Sequence, residues 1–229
     1  MRRIAFLIFF LIPFNSVIFA QDFHKSLAFS NNVFMDIFNE YSFYIDFIPF
    51  KHHSFGLCIG EIYDNPEFDP RPLSKSQNNQ PGTVYKGYVT RLYYNYYFFN
   101  KDYKRLNFGT YISPQIIYKN LYYNNKTFID ANANQGSSIT YTRNEKTNII
   151  GGDLVVGCYI ALRIKKSKEY FFFNPYLGMG FNKRNRNIET LSIYDRGYHG
   201  DKPVLGNEIK NTKYVTIVCG IKVGILFSL

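Results

Sequence analysis

The chain has 229 residues and a formal net charge of +10, with 23 Phe, 21 Tyr and no Trp. That length suits a single domain, and the negative mean hydropathy excludes a bundle of membrane-spanning helices. Cys58, Cys158 and Cys219 are odd in number and widely spaced, which excludes a disulfide framework, and there is no CxxC or nearby His to make a metal site.

Residues 1–20 read as a signal peptide. Arg2 and Arg3 form a positive start, 4–12 an apolar core, Pro13 and Asn15 a break, and Ile18-Phe19-Ala20 a cleavage site before Gln21. The expectation is Sec export and one barrel domain over 21–229. No Cys follows the cleavage site, so a lipoprotein is not expected. An exported basic chain points away from nucleic acid; most of its charges read as solvated loop residues, and a basic extracellular surface would meet anionic lipopolysaccharide.

Beyond the signal, the sequence alternates. Residues 27–35 predict a first strand, with Leu27, Phe29, Val33 and Met35 in phase. Asn39-Glu40 reads as a turn. A second strand carries Phe43, Ile45 and Phe47, with Tyr44 and Asp46 on its other face. After a short connection at 49–53, a third carries Phe55, Leu57 and Ile59 against Gly56, Cys58 and Gly60. Residues 64–82 hold four prolines and cannot be regular. The fourth strand, 84–99, sets Tyr88, Leu92, Tyr94, Tyr96 and Phe98 against Tyr85, Gly87, Arg91 and Asn95. After a turn at 100–104, the fifth strand, 106–118, sets Leu106, Phe108, Ile112, Ile116 and Tyr118 against Asn107, Gly109, Ser113, Gln115 and, just past its end, Lys119.

Residues 124–146 read as a polar loop. The sixth strand, 148–163, sets Ile150, Leu154, Val156, Ile160 and Leu162 against Gly151, Asp153, Gly157, Ala161 and Arg163. A charged turn at 165–169 leads to the seventh, 170–182. Residues 183–211 read as the longest loop. The last strand, 214–229, has the strictest two-residue period: Val215, Ile217, Cys219, Ile221, Val223, Ile225, Phe227 and Leu229 share one face.

Eight strands with short turns on one side and long loops on the other form an all-β, eight-stranded antiparallel transmembrane β-barrel. The interior of such a barrel is only just wide enough for side chains. The bulky faces therefore point outward, and an outward apolar band requires lipid. A soluble barrel with the greasy faces inside is the inverse alternative. The interior then carries Asp46, Arg91, Lys119, Asp153, Arg163 and Lys222, and charges there must pair or meet water. The expectation is that Asp46 and Asp153 pair with cations, including Arg91 and Lys222, as a structural plug. Aromatic girdles are expected around 93–99, 170–173 and Phe227 on one side, and at Tyr118, Tyr122 and Tyr123 on the other. Pro114 and Pro175 lie inside strands, so a bulge or strained pairing is expected at each.

Asn174-Pro-Tyr-Leu-Gly-Met-Gly-Phe-Asn182 and the ending Gly220-Ile-Lys-Val-Gly-Ile-Leu-Phe227 resemble the small outer-membrane β-barrel proteins of Bacteroidota, including a family of unknown function of the DUF3575 type. The resemblance implies insertion by the outer-membrane assembly machinery, which reads the last strand. A terminal Phe is usual there, whereas this chain ends Phe227-Ser228-Leu229. It implies no catalytic residue and no cofactor.

No nucleotide, metal or hydrolase motif is present. His24 precedes the barrel, His52 and His53 fall in a periplasmic turn, and His199 in an extracellular Gly-rich loop. The expected role is structural or surface-binding, through long extracellular loops and without catalysis. A narrow pore and a lipid-A-modifying enzyme are the alternatives.

Overall fold

The structure is a computed structural model that describes residues 25–36, 40–63, 86–102, 106–132, 137–164, 169–197, 202 and 204–229. The signal peptide at 1–20, His24, the proline-rich loop at 64–82 and His199 lie outside the described residues.

The strands are β1 (Ser26–Asn32), β2 (Glu40–Phe50), β3 (His53–Ile62), β4 (Lys86–Asp102), β5 (Leu106–Asn132), β6 (Ser137–Arg163), β7 (Glu169–Arg196) and β8 (Gly206–Ser228), with a one-turn helix, α1 (Val33–Asp36), after β1. Each strand is antiparallel to the next, and β8 pairs with β1 to close the barrel.

The register states the inside-out rule in one circuit. Starting at Leu106, the residue opposite is Leu162, then Phe171, Ile225, Phe29, Ile45, Leu57, Leu92 and finally Ile116, back on β5 but further along it. The offset is the stagger that closing a tilted sheet requires. Every member of the circuit is apolar, and all lie on the outer wall. Leu154, Leu177 and Phe181 on that wall are more than half exposed, while Asp46, Arg91, Asp153 and Lys222 are buried inside. This is the distribution of a transmembrane β-barrel, and it overturns the inverse arrangement with greasy faces inward.

The lumen holds more aromatic bulk than the alternation suggests. Tyr93, Tyr111, Tyr159 and Tyr176 point inward, and each lies directly opposite a glycine on the neighbouring strand: Gly56, Gly157, Gly109 and Gly220. A Cβ added at Gly56 would collide with Tyr93 Cζ, and one at Gly157 would collide with the Tyr111 hydroxyl. The missing side chains are what let the rings lie across the strands. Tyr93, Tyr97, Phe172 and Tyr123 are therefore interior, and only their odd-or-even neighbours, such as Tyr94, Tyr96, Phe98, Phe171 and Phe173, belong to the outer girdles.

Several strand limits depart from the sequence reading. β1 stops at Asn32 rather than running through Met35. Asn32 Oδ1 accepts from Met35 N at 3.3 Å, capping α1, and from Ile221 N at 3.2 Å, so one side chain serves both the helix start and the edge of β8. Residues 124–146 and 183–211 are largely strand, not loop. β5 and β6 run 27 residues each, β7 runs 28 and β8 runs 23, whereas β1, β2 and β3 have 7, 11 and 10. A membrane crossing needs only about 9–11 residues. The surplus makes a four-stranded sheet standing beyond the membrane on the side away from the short turns.

Neither proline sits in a bulge. The β4–β5 ladder lacks pairs between Tyr93↔Gln115 and Tyr96↔Ile112, beside Pro114. The β6–β7 ladder lacks pairs between Gly157↔Tyr176 and Ile160↔Phe173, beside Pro175. Register continues unchanged across both gaps, and the ladder on the other side of each proline is intact. The missing N–H interrupts one ladder only.

Candidate functional site

The candidate site is the polar lumen, built from inward positions of β2 to β8. Its centre is Glu40, 3% exposed. Glu40 Oε1 pairs with Arg91 Nη2, and Oε2 pairs with Lys119 Nζ at 2.5 Å. Ser42 Oγ also donates to Oε1 at 3.1 Å. The other end of the Arg91 guanidinium donates from Nη1 to the Tyr44 hydroxyl at 3.2 Å and lies 3.4 Å from Cys58 Sγ. One carboxylate thus pairs with two cations in a lumen where an unpaired charge is costly.

Lys222 is held differently. Its Nζ lies 4.2 Å from the Tyr44 ring centre, 4.1 Å from Tyr93 and 5.7 Å from Tyr176. Ring faces carry the negative end of the aromatic quadrupole, and a desolvated ammonium gains most from them. Asp46 is the carboxylate on which Lys222 acts most strongly. It also accepts from Asn95 Nδ2 at 3.4 Å, and Asn95 Nδ2 donates to Ser54 Oγ at 2.7 Å. Asp153 is buried on β6 beside Gly180, where a Cβ would collide with its Oδ1, and Arg91 and Lys119 are the cations in its field.

Of the six charges expected inside, Asp46, Arg91, Lys119, Asp153 and Lys222 converge on this lumen. Arg163 does not; it is exposed at the short-turn end of β6. Asp46 and Asp153 lie in the field of these cations without a direct salt bridge among the described residues; the direct contacts with Arg91 and Lys119 are those of Glu40. Glu40 begins β2 rather than forming the expected turn with Asn39, and it has the same parity as Ser42, Tyr44 and Asp46, which is the signal that puts it on the inward face.

A second network sits higher, on the inward face of the protruding sheet. Glu145, buried, receives Arg186 Nε at 2.6 Å and Nη2 at 2.8 Å, the Tyr123 hydroxyl at 3.0 Å and Thr147 Oγ1 at 2.9 Å. The fork of the guanidinium fits both carboxylate oxygens. It ties β5, β6 and β7 together where β1 to β3 no longer reach.

The cysteines are all free; Cys58 is buried inside, while Cys158 and Cys219 are half-buried at outward positions. His52 Nδ1 lies 2.7 Å from the Tyr97 carbonyl, and His53 Nδ1 lies 2.5 Å from the Tyr94 hydroxyl, both at the short-turn end. Among the described residues, no group of three His, Cys, Asp or Glu is placed to hold a metal ion.

No family model matches the chain, and no curated protein matches it. Among solved structures, it is similar to a major outer membrane protein from Thermus thermophilus, at 11% identity and a TM-score of 0.44, covering 90% of this chain and 99% of that one. It is also similar to the outer membrane protease OmpT from Escherichia coli, at 10% identity and a TM-score of 0.23, covering 90% of this chain and 93% of that one.

Proposed function

We propose that the chain is a non-catalytic protein of the bacterial outer membrane whose lumen is closed by its own side chains and whose protruding sheet binds at the cell surface. The observation that carries this reading is the lumen itself. Glu40, Arg91, Lys119 and Lys222 are tied to one another, or to tyrosine rings, at the level where an ion path would have to run. The apolar outer wall supports the membrane location, and the sheet of β5 to β8 supports the surface role that the sequence reading gave to loops. The exported state, assembly through the C-terminal strand and kinship with the Bacteroidota barrels of the DUF3575 type belong to the same proposal.

Planar-bilayer recording of the purified protein tests the closed lumen. No discrete conductance steps are expected, and steps that change size in Glu40→Gln would establish the pore instead. Mass analysis of lipid A from cells with and without the protein tests the absence of catalysis. Identical profiles are expected, and a lost or gained acyl or polar group would establish the enzyme.

A further inference from the structure

The outer wall of β5 to β8 changes character within two steps of the register. One row is Ile116, Gly152, Phe181 and Val215, still apolar. The next row away from the short turns is Tyr118, Ile150, Lys183 and Lys213, in which two exposed lysines stand directly opposite each other on β7 and β8. The next is Asn120, Asn148, Asn185 and Asn211, one asparagine from every strand of the sheet. Above it come Tyr122, Lys146, Asn187 and Ile209.

Neither row is explained by the sheet. Like charges directly opposite each other weaken an antiparallel pair. Asparagine is depleted in strands, so four in one row give up β propensity at each position. Some amides do bond within the wall: Asn120 Nδ2 donates to Asn148 Oδ1 at 2.6 Å, which also accepts from the Tyr118 hydroxyl at 3.3 Å. Asn185 Oδ1 is shielded, with no hydrogen-bond partner among the described residues. A groove of about 460 Å³ opens just beyond the asparagine row, lined by Asn120, Tyr122, Lys146 and Asn187 and also by the carboxylate residues Glu145 and Glu189, so the anionic group is placed on the lysine row below it rather than in the groove. Tyr88 of β4 lies opposite Asn120 and extends the row with an exposed ring.

The chemistry and the height agree. An ammonium pair at the upper margin of the apolar band is at the level of lipid phosphates, and N⁺–H···O⁻ contacts to phosphate are among the stronger hydrogen bonds. A primary amide both donates and accepts, as a sugar hydroxyl does. Exposed tyrosine rings offer flat apolar faces beside polar tips. We infer that this wall binds the headgroup of a phosphorylated outer-leaflet glycolipid, with Lys183 and Lys213 on its phosphate and the two members of the asparagine row on β7 and β8, Asn185 and Asn211, on its sugar hydroxyls. The inference rests on the outer-membrane reading above and adds the ligand class and the residues.

The test uses the full chain purified in mild detergent, with lipopolysaccharide and phosphatidylglycerol titrated separately and bound lipid counted by native mass spectrometry. Lipopolysaccharide is expected to bind at least about tenfold more tightly than phosphatidylglycerol, a difference near 1.4 kcal/mol. The double variant Lys183→Ala/Lys213→Ala loses about that factor for lipopolysaccharide. Asn185→Ala/Asn211→Ala weakens lipopolysaccharide and leaves phosphatidylglycerol unchanged, which a bare charge patch would not do. Each variant is checked for the gel shift on boiling that a folded barrel gives. Equal binding of both lipids, or unaltered lipopolysaccharide binding in either variant, overturns the inference. So does equally tight binding of the free, lipid-less core oligosaccharide, which would make the ligand a soluble glycan. A protein that does not fractionate with the outer membrane refutes the parent reading; one that does, yet holds no glycolipid, refutes this inference alone.

Discussion

The part of the barrel within the membrane and the sheet beyond it are the same strands under two solvents. On β6, Leu154 and Val156 face outward and are about half exposed, while Asp153, Val155 and Gly157 face a packed lumen. Further along the same outer face stand Asn148, Lys146 and Asn144, and the inward positions Glu145 and Thr147 are polar as well. The antiparallel ladders run on from one region into the other, with register shifts only further out, at Tyr123/Lys126 and Thr142/Arg143, while the medium outside changes. In lipid the outer face must be apolar, so the sequence alternates. In water both faces can be polar, so the alternation disappears while the strand continues.

Substitutions can break each half separately, and the sizes should differ. The largest effect belongs to the lumen. Glu40→Gln leaves Arg91 and Lys119 without their carboxylate, and removing one partner of a buried ion pair costs about 3–5 kcal/mol. Urea unfolding of the reconstituted protein reads this, and a loss under about 1 kcal/mol would mean that water rather than Glu40 satisfies those cations. On the lipid wall, Leu154→Arg is expected to cost about 2–4 kcal/mol if that position is near the bilayer midplane. The same change at Asn148, six residues along the same face, should cost no more than about 1 kcal/mol in the same assay. Equal costs at the two positions would erase the boundary drawn between Leu154 and Asn148.

The interior packing comes next. Gly56→Val pushes a side chain into the space of the Tyr93 ring, an overpacking expected to cost about 1–3 kcal/mol. Combining it with Tyr93→Ala should recover part of that loss, and additivity would show the two residues uncoupled. The smallest global effect is expected above the membrane. Glu145→Gln removes the carboxylate that holds Arg186, Tyr123 and Thr147. Amide exchange should quicken around 140–147 and 184–190, while exchange near 153–157 stays as slow as in the parent. Faster exchange in both regions would show that sheet and barrel unfold as one unit.

How much of this could be read from residues alone follows the same division. The strand count, the outward faces and five of the interior charges were legible because lipid imposes a period of two on Phe43, Ile45 and Phe47 or on the run from Val215 to Phe227. The protruding strands were not, because 124–132 and 183–196 carry only scattered apolar residues, such as the buried Phe128 and Ile188, among polar ones and so resemble loop composition. Glu40 was missed because it follows Asn39, a common turn residue, and its parity with Asp46 was outweighed. The tyrosines at 93 and 111 were hidden for a different reason. An aromatic fits a narrow lumen only when the residue across the ladder is small, and that pairing is set by register rather than by local pattern. Val33 and Met35 kept the right period past the end of β1, where the two bonds accepted by Asn32 stop the strand.

The central claim is that one continuous strand passes from lipid to water with its outer face outward throughout. The most direct measurement is a spin-label scan of β6, one cysteine at a time from 144 to 156, in a background with Cys58, Cys158 and Cys219 replaced by serine. Accessibility to oxygen, which concentrates in lipid, should peak at 150, 152, 154 and 156 and be low at 151, 153 and 155. Accessibility to a water-soluble nickel complex should rise at 144, 146 and 148 without a break in the two-residue period. Oxygen maxima at the odd positions, or nickel access at 154 and 156, would turn the wall inside out and contradict the account.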